Sequence, residues 1–311
     1  MPVTIPKDLP SGAVLKEENI FFMTSERAIH QDIRPLQIAI LNLMPNKKKT
    51  EEQFLRLLGN TALQVEVTFL TTASYESKNT PRSYLKTFYK TFDEIKDDRF
   101  DALIVTGSPV ETLAFEHVAY WNELEKILDW AEQHVYSSLF VCWAAQAALY
   151  HHYGIGKQLL PSKLFGVYSH TVLDAKHPLV RGFDDRFRAP HSRHTAIDEA
   201  KVRKNSHLKV LCESEEAGIY LITSKDGRKV FITGHSEYDK QTLHDEYQRD
   251  LKAGKPISKP VGYYLGDDES SPVQMSWRGH ANLLFTNWLN YHVYQGTPYH
   301  LEELGKRAQQ S

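Results

Sequence analysis

The sequence predicts an α/β fold built on a doubly wound, mainly parallel sheet. Short, continuous apolar runs of strand length recur along the chain, and longer segments with one apolar face lie between them. Runs that are continuous rather than alternating mark strands covered on both faces, which is the condition of strands in a parallel sheet. The composition agrees: 311 residues, 41% hydrophobic and 24% charged, are enough for one large domain with an ample core.

Pro2, Pro6, Pro10 and Pro35 make residues 1–35 an N-terminal arm, followed by a single α/β domain over 36–299 and a polar C-terminal tail over 300–311. The first strand is Leu36–Met44, ended by Pro45 and Asn46. Lys47, Lys48 and Lys49, followed at once by Thr50, Glu51 and Glu52, read as a solvated helix start. The helix runs from Lys49 to Gly59, with Phe54, Leu55, Leu57 and Leu58 as its apolar face. Strands follow at Leu63–Leu70 and Asp101–Gly107, the latter closing on a glycine turn, and then an amphipathic helix from Glu116 to His134. Ser138–Cys142 is a strand, and the alanine-rich Ala144–His151 a helix. Later strands are expected at Gly166–Val172, Ile219–Thr223 and Lys229–Gly234, with helices over Tyr238–Lys252 and His280–His292. The stretch from Pro161 to Cys212 breaks this rhythm with His, Arg and Asp residues and reads as an inserted, ligand-facing segment.

A net charge of −2 provides no global field for nucleic acid or an anionic membrane, so neither is an expected partner. No apolar stretch approaches the ~20 residues of a membrane span. With Cys142 and Cys212 the only cysteines and no apolar leader at the N-terminus, a soluble cytoplasmic protein is expected. HExxH, paired CxxC, Walker and GxGxxG patterns are absent, so neither a metal nor a bound cofactor is expected.

Cys142 sits where a strand ends and a helix begins. A sharp turn there exposes the side chain above the sheet, and the helix N-terminus favours the thiolate. A thiol nucleophile needs a base and a group to orient that base. Gly234-His235-Ser236-Glu237, at another strand end, supplies both. Oxyanion donors are then sought in backbone N–H groups, with Trp143 and Gly107 the candidates. Cys212 has no such turn and reads as structural.

A cysteine elbow, a downstream His-x-Glu and the turn Thr106-Gly107-Ser108-Pro109-Val110-Glu111 together resemble the homoserine O-acyltransferase family of methionine biosynthesis. The likeness extends to Leu41–Lys47, Phe140–Ala144, Pro190–Arg193, Gly234–Tyr238 and Met275–Arg278. It implies a class I glutamine amidotransferase-like, flavodoxin-like fold with an N-terminal arm and inserted segments. By the same resemblance Cys142 carries an acyl thioester, His235 accepts the proton and Glu237 is its partner. Lys163, Ser192 and Arg249 fall on the family's substrate-binding positions, and Glu111 on the position that separates acetyl from succinyl donors. Glutamate there implies acetyl-CoA as co-substrate and L-homoserine as acceptor, in a ping-pong reaction that needs no cofactor. For an isolated Glu111, the plainer reading is a first-turn residue favoured by a helix dipole. Homoserine O-succinyltransferase, serine O-acetyltransferase and a glutaminase-type cysteine hydrolase are the alternatives on the same scaffold, and a homodimer is the default assembly.

Overall fold

The structure is a computed structural model that describes residues 34–75, 77 and 79–304 in full and the backbone of 3–5 and 22–24. The arm expected over 1–35 therefore lies largely outside the described residues, as does the tail beyond Leu304. Within the arm, β1 (Val3–Ile5) and β2 (Phe22–Thr24) pair in parallel.

The remaining strands form one ten-stranded sheet in the order β5-β4-β3-β6-β7-β12-β11-β10-β8-β9. The parallel half consists of β3 (Leu36–Leu41), β4 (Val65–Leu70), β5 (Tyr89–Lys90), β6 (Phe100–Val105), β7 (Val135–Val141) and β12 (Lys229–Ile232). From β12 the sheet continues antiparallel through β11 (Gly218–Ser224), β10 (Leu208–Ser214), β8 (Lys157–Val172) and β9 (Arg186–Ile197). The segment expected to be an insertion is thus mostly the long β8–β9 hairpin and β10. The expected strand Gly166–Val172 is the second half of β8, whereas the first half of β8, β9 and β10 are not read as strands, because antiparallel strands with one wetter face carry polar residues that break an apolar run.

Along β3 the side chains alternate between two cores. Ile38 and Ile40 face one way, onto Phe54 and Leu57 of α1 (Lys47–Leu58) and onto Leu284 and Phe285. Ala39 and Leu41 face the other, onto a second helical layer. That layer contains α4 (Trp121–His134) and α5 (Trp143–Tyr153). Two short helices between β4 and β6, α2 (Arg82–Phe88) and α3 (Phe92–Ile95), and α6 (Glu199–Lys204) after β9 were not anticipated. The last two helices are α7 (Thr242–Lys252) and α8 (Arg278–Asn287), and α8 continues into a π-helical turn over Trp288–Tyr294. At the base of β6, the buried Asp101 carboxylate takes a two-pronged bond from Arg34, 2.7 Å on each oxygen, and Arg34 also donates to the carbonyls of Pro298 and Tyr299.

Several expected boundaries move, and four of the shifts bear on the site. The helix expected from Glu116 starts at Trp121, after a 3₁₀ turn over Phe115–His117. The one expected from Tyr238 starts at Thr242, which frees Tyr238 for the turn after β12. The β3 strand stops at Leu41, so Asn42, Leu43 and Met44 belong to the loop above the sheet. Helix α1 begins at Lys47 with Asn46 as its cap, so Lys47 is not part of a solvated start. It is buried, and its Nζ donates to the Asn42 carbonyl at 2.5 Å. No helix is long and apolar enough to cross a membrane among the described residues.

Candidate active site

The carboxyl ends of β6, β7 and β12 lie side by side, which is where an open α/β sheet places its ligands. Cys142 follows β7 directly and opens α5 with φ 53° and ψ −113°. A positive φ at a non-glycine residue is strained and needs its surroundings to hold it. The holding contacts are visible: the Cys142 N–H donates to the Ile232 carbonyl at 2.7 Å, its carbonyl accepts from Gln146, and Ala144 and Ala145 are buried beneath the turn. The side chain is pushed out of the sheet plane toward His235.

His235 is placed by the neighbouring strand. Its N–H donates to the Pro190 carbonyl at 2.9 Å. Gly234 allows that approach, since a Cβ there would lie 2.7 Å from the Pro190 oxygen. The His235 Nδ1 meets Glu237 Oε1 at 2.7 Å, and Cys142 acts electrostatically on the same ring. All three side chains are buried. Burial opposes a charge on His235, yet the Cys142 and Glu237 charges and hydrogen bonds outweigh it and raise its pKa well above the ordinary value. The Tyr238 ring stacks on the imidazole with centroids 4.0 Å apart, and Trp277 Nε1 fixes the Tyr238 carbonyl at 2.9 Å. Behind them His191 and His170 share an Nε2–Nε2 hydrogen bond of 3.0 Å. Burial lowers the pKa of both, to about 4 for His170, so the wall behind His235 is uncharged near neutrality.

Gly107 closes the other side. A Cβ on it would lie 3.4 Å from His235 Cε1 and 3.5 Å from the Cys142 Cβ, so a side chain here would fill the space where a reacting carbonyl must sit. The Gly107 turn is fixed to the end of β3 by Leu43 N–H donating to Thr106 Oγ1 at 2.8 Å. Trp143 is the first residue of α5, and N–H groups in a first turn have no intrahelical acceptor. Both oxyanion candidates therefore border the Cys142 turn.

Glu111 is not in the first turn of a helix; it lies in an irregular turn, and its Oε1 accepts from the His194 N–H at 2.9 Å. Burial raises its pKa against the lowering pull of that N–H and of His194, His235 and Lys163. The carboxyl thus shares one electrostatic environment with the imidazole and with Lys163. The three expected substrate-binding residues converge on one group that had no assigned role, Glu246. Lys163 Nζ reaches Glu246 Oε1 at 2.6 Å, Ser192 Oγ donates to the same oxygen at 2.9 Å, and Arg249 Nη2 lies 3.6 Å away. Arg249 also bonds Asp250, at 2.9 Å through Nε. The spacing of Glu246 and Arg249 on one helix face was the available signal.

Two more residues escaped the sequence. Lys47, with its pKa lowered to about 8 by burial, lines a cavity beside the Gly107 turn. Arg193 is buried and donates at 2.6 Å to the Thr195 and Ala217 carbonyls, while its charge is felt by Cys142 and Glu111. Both lie in segments that carry the family likeness, Leu41–Lys47 and Pro190–Arg193, but the burial that sets them apart from surface cations is not visible in a local pattern. Cys212, by contrast, is fully buried on β10, and burial alone raises its thiol pKa.

Among known proteins, the profile of the family described as homoserine O-succinyltransferase (HTS) matches residues 2–299. A homoserine O-acetyltransferase of Acetivibrio thermocellus is 56% identical over 304 residues, covering 98% of this chain and 100% of the relative. One from Desulfitobacterium hafniense is 54% identical over 307 residues, covering 99% and 100%. One from Bacteroides fragilis is 53% identical over 304 residues, covering 98% and 100%. In three dimensions the chain resembles a glutamine amidotransferase of Thermotoga maritima, with TM-score 0.56 and 15% identity, over 85% of this chain and 100% of the other. A glutamine amidotransferase of Methylobacillus flagellatus matches with TM-score 0.53 and 10% identity, over 86% and 99%. At such identities the likeness concerns the fold, which is that of the class I glutamine amidotransferases.

Proposed function

The chain belongs to the homoserine O-succinyltransferase family, and on that premise we propose that it transfers an acetyl group from acetyl-CoA to the hydroxyl of L-homoserine through a thioester on Cys142. The observation that carries the chemistry is a strained, buried cysteine whose charge acts on a buried histidine, the Nδ1 of which meets a carboxylate at 2.7 Å. In the first half-reaction the Cys142 sulfur attacks the thioester carbonyl, CoA leaves as a thiolate, and the His235 imidazolium protonates it. In the second, neutral His235 takes the homoserine hydroxyl proton, the alkoxide attacks the acetyl-cysteine, and O-acetylhomoserine leaves as Cys142 is regenerated. The Gly107 and Trp143 N–H groups would hold the oxyanion. No step calls for a metal or prosthetic group, and two free cysteines suit a reducing, cytoplasmic setting.

The acceptor site follows from charge. Lys163 and Arg249 share Glu246 and Asp250 in the free protein, so a zwitterionic amino acid can exchange with these pairs, its carboxylate on the cations and its ammonium on Glu246. The donor choice is assigned to Glu111, whose largely buried carboxyl lies within the electrostatic reach of His235 and Lys163 and would take up room and repel the free carboxylate of a succinyl group. Mass spectrometry of protein incubated separately with acetyl-CoA and succinyl-CoA should find an acetyl adduct on Cys142 and little succinyl adduct. Glu111→Gly should raise the succinyl share by at least about tenfold. An unchanged ratio removes Glu111 from this role, and an adduct on another residue removes Cys142 from its own.

A pH dependence also follows. The charge on Cys142 is one cause of the raised His235 pKa, and acylation removes it, leaving burial to act against Glu237 alone. Acylation, which uses the imidazolium, should persist to high pH and fall only above the raised pKa. Transfer to homoserine, which uses the neutral ring, should rise through a lower pKa. Rapid-quench measurement of each half-reaction across pH tests this, and a single shared pKa for both would refute it.

A further inference from the structure

A cavity of about 330 Å³ opens beside the Gly107 turn, between the ends of β3, β4 and β6. This is the point where the sheet's connections reverse, since the chain runs outward from β3 to β4 and β5 and then returns to β6 on the other side. The volume lies within the roughly 300–1,000 Å³ of small-molecule sites. No residue assigned so far to nucleophile, base or acceptor binding lines it.

From these features, and resting on the acyltransferase reading above, we infer that this cavity receives the pantetheine arm of the acyl-CoA donor. A pantetheine arm alternates methylenes with two amides, carries no charge until its phosphates and ends at the sulfur that the nucleophile must displace. The walls match that sequence of chemistry. Leu43, Met44, Val110 and Leu113 supply apolar surface, while Thr72, Ser108 and Tyr120 interleave hydroxyls, the last two paired at 2.6 Å. Among the described residues the lining includes no carboxylate, and Lys47 and His117 are its basic members, so nothing there repels a phosphorylated donor. The inner end also points the right way. Met44 and Ser108 flank Gly107, whose Cβ position is 3.8 Å from the Met44 sulfur and 3.5 Å from the Cys142 Cβ. A thioester delivered along this wall arrives between Cys142 and Gly107, with the acyl group directed toward Glu111.

A larger groove of about 700 Å³ is the competing location. It is bounded by Glu237 and Asp239 and shares no wall residue with the turns at Met44 and Ser108, so an arm lying there would approach the orienting carboxylate rather than the nucleophile.

Ala119 and Leu113 line the cavity from exposed positions, so enlarging them should fill it without disturbing the core. Ala119→Trp and Leu113→Trp are compared with the unaltered protein for the rate of Cys142 acetylation by acetyl-CoA and by p-nitrophenyl acetate, a donor with no arm. The ratio of the acetyl-CoA rate to the small-ester rate should fall by about tenfold or more in both variants. Equal losses with both donors, or no loss with acetyl-CoA, would overturn the assignment of the cavity while leaving the acyltransferase reading intact. If the unaltered protein accepts the small ester but not acetyl-CoA, the donor reading fails and the cavity assignment fails with it.

Discussion

Cys142→Ala is expected to lower kcat/KM for acetyl transfer to homoserine by about 10³-fold or more, since removing a covalent nucleophile abolishes both half-reactions. The variant keeps the fold. A methyl group tolerates the same turn no worse than a thiol-bearing side chain, and the backbone bonds to Ile232 and Gln146 remain. A second signature separates lost chemistry from a damaged site. The Cys142 charge helps to raise the His235 pKa, so NMR titration of the ring should show a clear fall in the variant, with burial then opposed by Glu237 alone. Steady-state kinetics with acetyl-CoA and homoserine give the first number. Activity within tenfold of the unaltered protein would exclude a thioester on this residue.

Replacing His235 with Ala should cost about 10²–10⁴-fold in kcat, the ordinary contribution of a positioned acid–base group. It should also cost stability. Glu237 is buried, one of its oxygens already lacks a partner, and the other would lose its 2.7 Å bond to the ring. An unpaired buried carboxylate is worth on the order of 1–3 kcal/mol, read as a lower melting temperature. Glu237→Gln supplies the contrast: it retains a hydrogen-bonding group of the same shape but removes the charge, so the loss of activity should exceed the loss of stability. If His235→Ala retained its acyl-transfer rate, the base would have to be sought elsewhere.

Much of the parallel half of the sheet was legible in the sequence, because β3, β6 and β7 are buried on both faces and read as continuous apolar runs. The antiparallel half was legible only in part: Gly166–Val172 and Ile219–Thr223 read as strands, whereas β9, β10 and the start of β8 do not. The β8–β9 hairpin carries Lys163, His170, Arg188, His191, Ser192 and Arg193, and such residues look like loop until their partners are known. Several of them are satisfied across the fold: Arg188 by the carbonyls of Val167 and Gly262, and His170 by His191. Within the site, Cys142, His235 and Glu237 stood out because each follows a recognisable strand end. Glu246, Tyr238, Lys47 and Arg193 did not, since their importance lies in what they touch. Tyr238 in particular was assigned to a helix that begins four residues later, and its place on the His235 ring depends on that delay.

The sequence alone carries β3, β4, β6, β7 and β12 of the parallel half, though not β5, α2 or α3, together with the strand-to-helix junction at Cys142 and the chemical types present at each strand end. These are local properties, carried by residues a few positions apart whose periodicity and turn chemistry are printed in the chain. The rest emerges only on folding: that the turn at Cys142 is strained, that Gly107 leaves room beside it, that Lys163, Ser192 and Arg249 meet on Glu246, and that Lys47 is buried. Those facts depend on which strands become neighbours and how much water they exclude. The pairing of β7 with β12 sets Cys142 beside His235, ninety-three positions away in the chain, and no local pattern encodes that distance.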